Sequence, residues 1–317
     1  MAEPVALITG IAGGLAQLVG AELARRGYAV VGVDYRPVAE ALPFAAAVYQ
    51  ANYNKTRIED VFRRHPPSLV LHLGRVGNLK VRMGKRFDLN VIGSRKVMDL
   101  SCKYGARRLV ILSTFHIYGA HPNNHTPIHE DEPLRAGSAF PQIADAIQLD
   151  GQGLLWIYQH PEVETVLLRP TNVVGPSLSN AMSSFLRGST LPVMLGFNPM
   201  VQFIHEQDLS DAIVAVAEGK PIGVFNVAGP SAIPWQEALE VAGGRRVPVP
   251  ATFASLYLKA ASLFSRTFPP YLINFFQYPC IIDDGALRRT FSWTPRIGPV
   301  DAIRSTVRRQ AVARPVG

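Results

Sequence analysis

Gly10, Gly13 and Asp34 are the first residues whose types and spacing imply chemistry. The glycines follow the apolar run Val5-Ala6-Leu7-Ile8-Thr9, and Asp34 closes the run Ala29-Val30-Val31-Gly32-Val33-Asp34. Gly10 permits a tight turn and Gly13 lets the backbone approach a pyrophosphate. The helix that follows would aim its free N–H groups at the phosphates. A carboxylate at Asp34 would accept hydrogen bonds from a ribose and repel a 2′-phosphate, which favours NAD. Arg36, two residues on, argues the other way, for NADP. Thr114 and His116 share one side of the chain if it stays extended. An imidazole titrates near neutrality, so His116 is either an acid/base group or a polar wall residue. His121, His125 and His129 are spaced by four, as metal ligands on one helical face would be. Pro122, Pro127 and Pro133 break any helix there, so a solvated loop is expected and no metal.

Alternating strands and helices must position these groups. Leu15, Leu18, Val19 and Leu23 share a helical face that Gly27 ends. Apolar runs at 47–51, 68–73, 108–113 and 166–169 read as strands, separated by helical stretches at 58–64, 87–104 and 143–158. This alternation predicts an α/β fold, a Rossmann-like doubly wound parallel sheet that binds ligands at the carboxyl ends of its strands.

The 317 residues, 48% apolar and 18% charged, are enough for one large or two joined domains. A net charge of +8 suits a phosphorylated ligand, anionic lipid or nucleic acid. The positive residues are scattered in pairs such as Arg25-Arg26 and Arg107-Arg108, so nucleic acid is not expected. Cys102 and Cys280 form no CxxC pair, so neither a disulfide framework nor a metal knuckle is expected. The chain enters a strand almost at once and lacks a run of ~20 uncharged apolar residues. Neither a signal peptide nor a spanning helix is expected, and the expected location is cytoplasmic.

Longer motifs then carry a resemblance. They are Thr9-Gly10-x-x-Gly13-x-x-Ala16, His72-Leu73-Gly74, Asn90-Val91-Ile92-Gly93-Ser94 and Ser113-Thr114-Phe115-His116-Ile117-Tyr118-Gly119. Leu168-Arg169-Pro170-Thr171-Asn172-Val173-Val174-Gly175-Pro176, Ile204-His205-Glu206-Gln207-Asp208-Leu209 and Gly223-Val224-Phe225-Asn226-Val227 follow in order. Over nearly its whole length the chain resembles the extended short-chain dehydrogenases/reductases, the NAD-dependent epimerase/dehydratase group. The resemblance implies an NAD-binding Rossmann domain at 1–175, with returns near 204–228 and 281–309. A smaller α/β substrate domain would come from 176–203 and 229–280. It implies cofactor contacts from Gly10, Ile11, Gly13, Leu15, Asp34, Asn52, Tyr53, Leu73, Gly74, Arg75, Asn90, Ser113, Pro170 and Val173. Asn52 stands where the family usually has aspartate; either side chain accepts a hydrogen bond.

The family's chemistry runs on Tyr-x-x-x-Lys. The lysine lowers a tyrosine pKa from ~10 so that the phenol works as an acid/base near neutrality. The register set by Glu130-Asp131-Glu132-Pro133 puts Phe140 at the tyrosine position and Ala144 at the lysine position. No lysine occurs from Tyr104 to Gly219, and the only tyrosines in that stretch after Tyr104 are Tyr118 and Tyr158. Val201 stands where sugar-nucleotide epimerases of the family carry an arginine for the substrate diphosphate, which argues against a nucleotide sugar.

Three readings follow. The first is an atypical oxidoreductase or epimerase that binds NAD and acts on a small or hydrophobic hydroxyl or carbonyl compound. Thr114 would polarise the oxygen, with His116, Tyr118 or solvent as acid/base. The second is a catalytically inactive NAD(H)-binding regulator or assembly subunit. The third is a peripheral membrane or scaffold protein using the aromatic segment at 253–278, where Phe253, Leu256, Tyr257, Ala260, Leu263 and Phe264 form an apolar helical stripe. A homodimer through the helices flanking the fifth strand is a further expectation from the family.

Overall fold

The N-terminal apolar run becomes β1 (Val5–Thr9), and its alternation feeds two cores at once. Ala6 and Ile8 pack on one face of the sheet with Val19 and Leu23, whereas Leu7 packs on the other with Ile58 and Phe62. The structure is a computed structural model and describes residues 3–78, 81–250 and 274–312. After β1 come α1 (Gly14–Arg25), β2 (Ala29–Asp34), β3 (Ala45–Gln50), α2 (Thr56–Arg64), β4 (Leu69–His72), α3 (Met83–Phe87), α4 (Ser94–Lys103) and β5 (Arg108–Leu112). Then follow α5 (Ala136–Ala139), α6 (Ala144–Gln159), β6 (Glu164–Pro170), β7 (Asn172–Val174), α7 (Ala181–Leu186), β8 (Thr190–Met194), β9 (Met200–His205) and α8 (Glu206–Glu218). The chain continues through β10 (Gly223–Val227), β11 (Ala232–Pro234), α9 (Trp235–Ala242) and β12 (Arg245–Val249). It ends with α10 (Gly285–Phe291) and α11 (Pro299–Val312).

Seven strands form one sheet in the order β10-β6-β5-β4-β1-β2-β3, every pair parallel. The doubly wound parallel sheet read from the sequence is therefore present. Strand order reverses between β1 and β4, which opens a crevice at their carboxyl ends. Residues of α1 and α8 cover one face, and residues of α2, α4 and α6 the other.

A second core gathers Phe185, Leu186, Leu191, Phe203, Trp235 and Leu239 around two small sheets, β11-β9-β7 and β12-β8. Within 281–309, expected in the large body, Leu287 and Trp293 pack in the large core, whereas Ala302 and Ile303 of α11 pack in this one. An apolar helical face looks the same whichever core it joins, so its pattern carried no information about the partner.

The stretch read as one helix at 87–104 is not regular. Asp88–Gly93 forms a π-helical turn between α3 and α4. Within it Asn90 brackets the backbone of Val76, accepting from its N–H at 2.8 Å and donating to its carbonyl at 3.0 Å. It also donates to Asp145 at 2.6 Å. These three bonds offset the poorer helical geometry.

The histidine-rich stretch at 121–133 is a loop. His125 stands 3.5 Å from Glu132 and His129 3.2 Å from Asp283. The stripe from Phe253 to Phe264 lies outside the described residues, as does 269–273. Among the described residues, no helix is long and apolar enough to cross a membrane.

Candidate functional site

The glycine turn after β1 is shaped by what it must avoid. Gly10 has φ +81°, and a Cβ there would lie 2.7 Å from the Gly74 Cα. The turns after β1 and β4 therefore touch backbone to backbone. Gly13 is the N-cap of α1 and offers no side-chain cap, so the helix presents its first N–H groups and its positive dipole end toward the crevice. A Cβ on Gly14 would come within 2.7 Å of the Ser177 carbonyl, so the loop after β7 closes over the same helix end. This cradle, which side chains would fill, fits a pyrophosphate.

Asp34 is fully buried at the end of β2. Its Oδ2 accepts from the Ala12 N–H at 3.0 Å, which ties the glycine turn to β2. Arg36 lies over the same carboxylate, with Nε 3.2 Å from Oδ1 and Nη2 3.1 Å from Oδ2. The arginine that argued for NADP is thus engaged with the aspartate that argued for NAD. Beneath this layer the buried His72 ring bridges Thr9 and Ser94, both at 2.7 Å, and burial lowers its pKa to about 4.

The expected cofactor contacts divide into two groups. Gly10, Gly13, Leu15, Asp34, Leu73, Gly74 and Arg75 gather at the carboxyl ends of β1, β2 and β4, as the strand ladder requires. Asn52 lies in the turn after β3 and accepts from the Asn54 N–H at 3.3 Å. Ile11 and Tyr53 are placed differently. The Ile11 side chain packs where a Cβ on Gly32 would stand, and the wholly buried Tyr53 hydroxyl fills the space beside Gly74. Both residues are wholly buried, so neither side chain faces the crevice. Asn90 and Ser113 spend their side chains inside the protein, Asn90 as above and Ser113 donating to Asp150 at 2.5 Å. Pro170 is buried at the end of β6, and Val173 is half-buried in β7 beside Ile204.

Thr114 caps a short 3₁₀ turn, Phe115–Tyr118, at the end of β5. Its Oγ1 lies 2.9 Å from His116 Nδ1, so the extended-chain expectation brought the right pair together through a tighter turn. The half-buried His116 ring packs against Phe115 and Phe275, at 4.4 and 5.0 Å between centroids. Burial, with the nearby Arg75 charge, lowers its pKa to about 3. His116 is therefore neutral at physiological pH, a hydrogen-bonding group rather than a proton acceptor. Tyr118 is in a different situation. Its buried hydroxyl donates to Asn226 Oδ1 and accepts from Arg169 Nη1, both at 2.8 Å. Burial pushes its pKa up to about 12 against the opposing pull of Arg169.

The segment from Phe140 to Ala144 is not one continuous helix. Phe140 is buried at the end of α5 with φ −131° and ψ 73°, and Pro141 starts a 3₁₀ turn before α6 begins at Ala144. A residue preceding proline is pushed out of the helical region, so Phe140 and Ala144 do not share a helical turn.

Sequence reasoning missed two buried ion pairs behind this corner. Asp150 takes both Nε and Nη2 of Arg169, and Asp145 sits 3.5 Å from Arg86 Nη2. Asp145 and Asp150 are acidic residues on an otherwise apolar helical face, a signal that was there to be read.

A sequence profile of one family matches residues 6–228, more than half of the chain. The chain belongs to the NAD dependent epimerase/dehydratase family. An uncharacterized protein of Mycobacterium tuberculosis is 26% identical over 220 residues, which are 68% of this chain and 58% of that protein. The chain thus spans under two thirds of that relative's length. UDP-glucose 4-epimerase 3 of Oryza sativa is 26% identical over 292 residues, 77% of each chain. The UDP-glucose 4-epimerase of Thermus thermophilus, solved with NAD, superposes with a TM-score of 0.77 at 20% identity, covering 98% of this chain and 100% of that one. WbmG of Bordetella bronchiseptica, also solved with NAD, gives 0.76 at 21% identity over 98% and 95%. At such identities the likeness shows the fold.

Apolar groups also enclose a cavity beside His116. Phe115, Met182, Met200, Val201, Trp235 and Phe276 line a cavity of about 20 Å³. His116, Asn172 and Cys280 are its polar lining, and burial raises the Cys280 thiol pKa.

Proposed function

We propose that this protein binds NAD in the crevice at the carboxyl ends of β1, β2 and β4 and oxidises or reduces a small apolar hydroxyl or carbonyl compound. The observation that carries this reading is the Thr114–His116 contact of 2.9 Å, because His116 also lines the aromatic cavity. The glycine turn and the α1 N-terminus would hold the pyrophosphate, and Asp34 would face the adenosine ribose. NAD supplies hydride transfer when bound. Thr114 would hydrogen-bond the substrate oxygen, and the neutral His116 would fix the direction of that hydroxyl. A neutral imidazole suits this task because it stabilises developing oxyanion charge without delivering a full proton. With neither a tyrosine at 140 nor a lysine at 144, the proton would exchange with solvent. The apolar lining and Val201 support a ligand without a diphosphate.

The deciding experiment titrates purified protein with NAD, NADH and NADP, then assays a panel of small apolar secondary alcohols and ketones by nicotinamide absorbance. The expected result is preferential NAD(H) binding and turnover that Thr114→Ala reduces at least about a hundredfold, with cofactor affinity kept. Absence of dinucleotide binding would remove the whole reading.

A second reading is a cofactor-binding regulator without turnover. It is favoured by Phe140, which offers no hydroxyl and stands outside α6. Tight NAD(H) binding with no turnover on any substrate of the panel would select it. Ile92, Leu155 and Tyr158 are exposed to 52%, 52% and 77% on the α4 and α6 side. We propose this face as a homodimer contact, to be checked by sedimentation of wild type against Leu155→Glu.

A further inference from the structure

Cys102, His160 and Glu162 lie together at the end of the sheet opposite the cofactor crevice. Cys102 is in the last turn of α4, which leads into β5. His160 and Glu162 are in the turn from α6 into β6. One carboxylate oxygen, Glu162 Oε1, contacts both neighbours, Cys102 Sγ at 3.2 Å and His160 Nδ1 at 2.9 Å. All three potential ligand atoms fall within 4.8 Å of one another.

We propose that these three side chains form a site for a borderline divalent transition metal, zinc in the first instance. One thiol sulfur, one imidazole nitrogen and one carboxylate oxygen are the donor types zinc prefers, and a sulfur ligand argues against magnesium or calcium. Bonds of about 2.0–2.3 Å in a tetrahedron place ligand atoms roughly 3.3–3.6 Å apart. The present cluster reaches that spacing with small side-chain rotations, and water completes the fourth position.

The surroundings hold the imidazole ready. The His160 backbone N–H donates to the Trp156 carbonyl at 2.9 Å, and its ring stacks on the buried Trp156 indole at 3.7 Å between centroids. Arg95 covers the same indole at 5.3 Å. On loading, Cys102 Sγ loses its proton to water and His160 Nδ1 binds through its lone pair, so affinity rises with pH. The metal would clamp the α4–β5 turn to the α6–β6 turn. Its distance from the crevice makes the role structural or regulatory, independent of the proposed function.

The test uses the full chain, freed of metal by a chelator, and titrates it with cobalt(II). The expected result is a thiolate-to-cobalt charge-transfer band that saturates at one equivalent and is displaced by zinc. Cys102→Ser should abolish the band, and His160→Ala and Glu162→Gln should each weaken binding about tenfold or more. Zinc should raise the melting temperature of wild type and not of Cys102→Ser. No band in wild type overturns the proposal, as does a band that survives Cys102→Ser or disappears in Cys280→Ser.

Discussion

Asp150 and Arg169 meet in a two-bonded pair, with Nη2 2.7 Å from Oδ2 and Nε 3.1 Å from Oδ1, and neither side chain reaches solvent. The pair ties α6 to β6. Asp150 also holds Ser113 at the end of β5, and Arg169 holds Tyr118 in the turn that follows. Asp150→Asn would leave the arginine charge buried without its counter-charge. The expected loss is about 3–5 kcal/mol of unfolding free energy in urea. Asp150→Leu combined with Arg169→Met should recover much of it. A loss under about 1 kcal/mol for Asp150→Asn would show that water reaches the guanidinium.

Tyr118 separates a supporting role from a chemical one. Tyr118→Phe removes a donor to Asn226 and an acceptor for Arg169, so stability should fall by about 1–3 kcal/mol. NAD affinity and any turnover should survive. Lost turnover at unchanged stability would instead make Tyr118 part of the reaction.

Gly10→Ala sets a side chain at φ +81° against the Gly74 backbone. Strain of about 1–3 kcal/mol at the turn should weaken NAD binding about tenfold or more by calorimetry. Unchanged affinity would mean that the turn does not shape the cofactor site.

Phe140→Tyr with Ala144→Lys should not install the family's acid/base chemistry. Pro141 keeps the two positions off a shared helical turn, so the lysine would not stand behind the phenol. Turnover by this double variant at or below the wild-type rate is expected. A gain of about tenfold or more would show that the segment rearranges.

His72 makes stability fall in mild acid. Its folded pKa of about 4 lies below the usual ~6.5, so between those values the unfolded chain takes up a proton that the folded protein refuses. Its contribution is complete above about pH 6.5 and declines as pH falls toward 4. From pH 7 to pH 5 the loss from His72 should be about 2 kcal/mol, and His116, whose pKa is also lowered, adds to it. Urea denaturation at both values checks it, and His72→Gln should flatten the profile.

The sequence by itself determined the parallel sheet and the cofactor cradle, because both rest on local rules. Apolar runs make strands buried on two faces, and a glycine turn between strand and helix leaves room for phosphate whatever surrounds it. The missing acid/base groups were equally legible, since a side chain that is absent stays absent in any fold. Tertiary structure alone decided the rest. Which core α11 joins, how Asn90 and Asp145 meet through a π-helical turn, and how Asp150 reaches Arg169 all depend on contacts between distant segments. So does the neutrality of His116, which burial and the nearby Arg75 charge impose once the turn after β5 has closed. Spacing along a chain shows which residues are neighbours in one element; only packing shows which charges end up without water and must find each other.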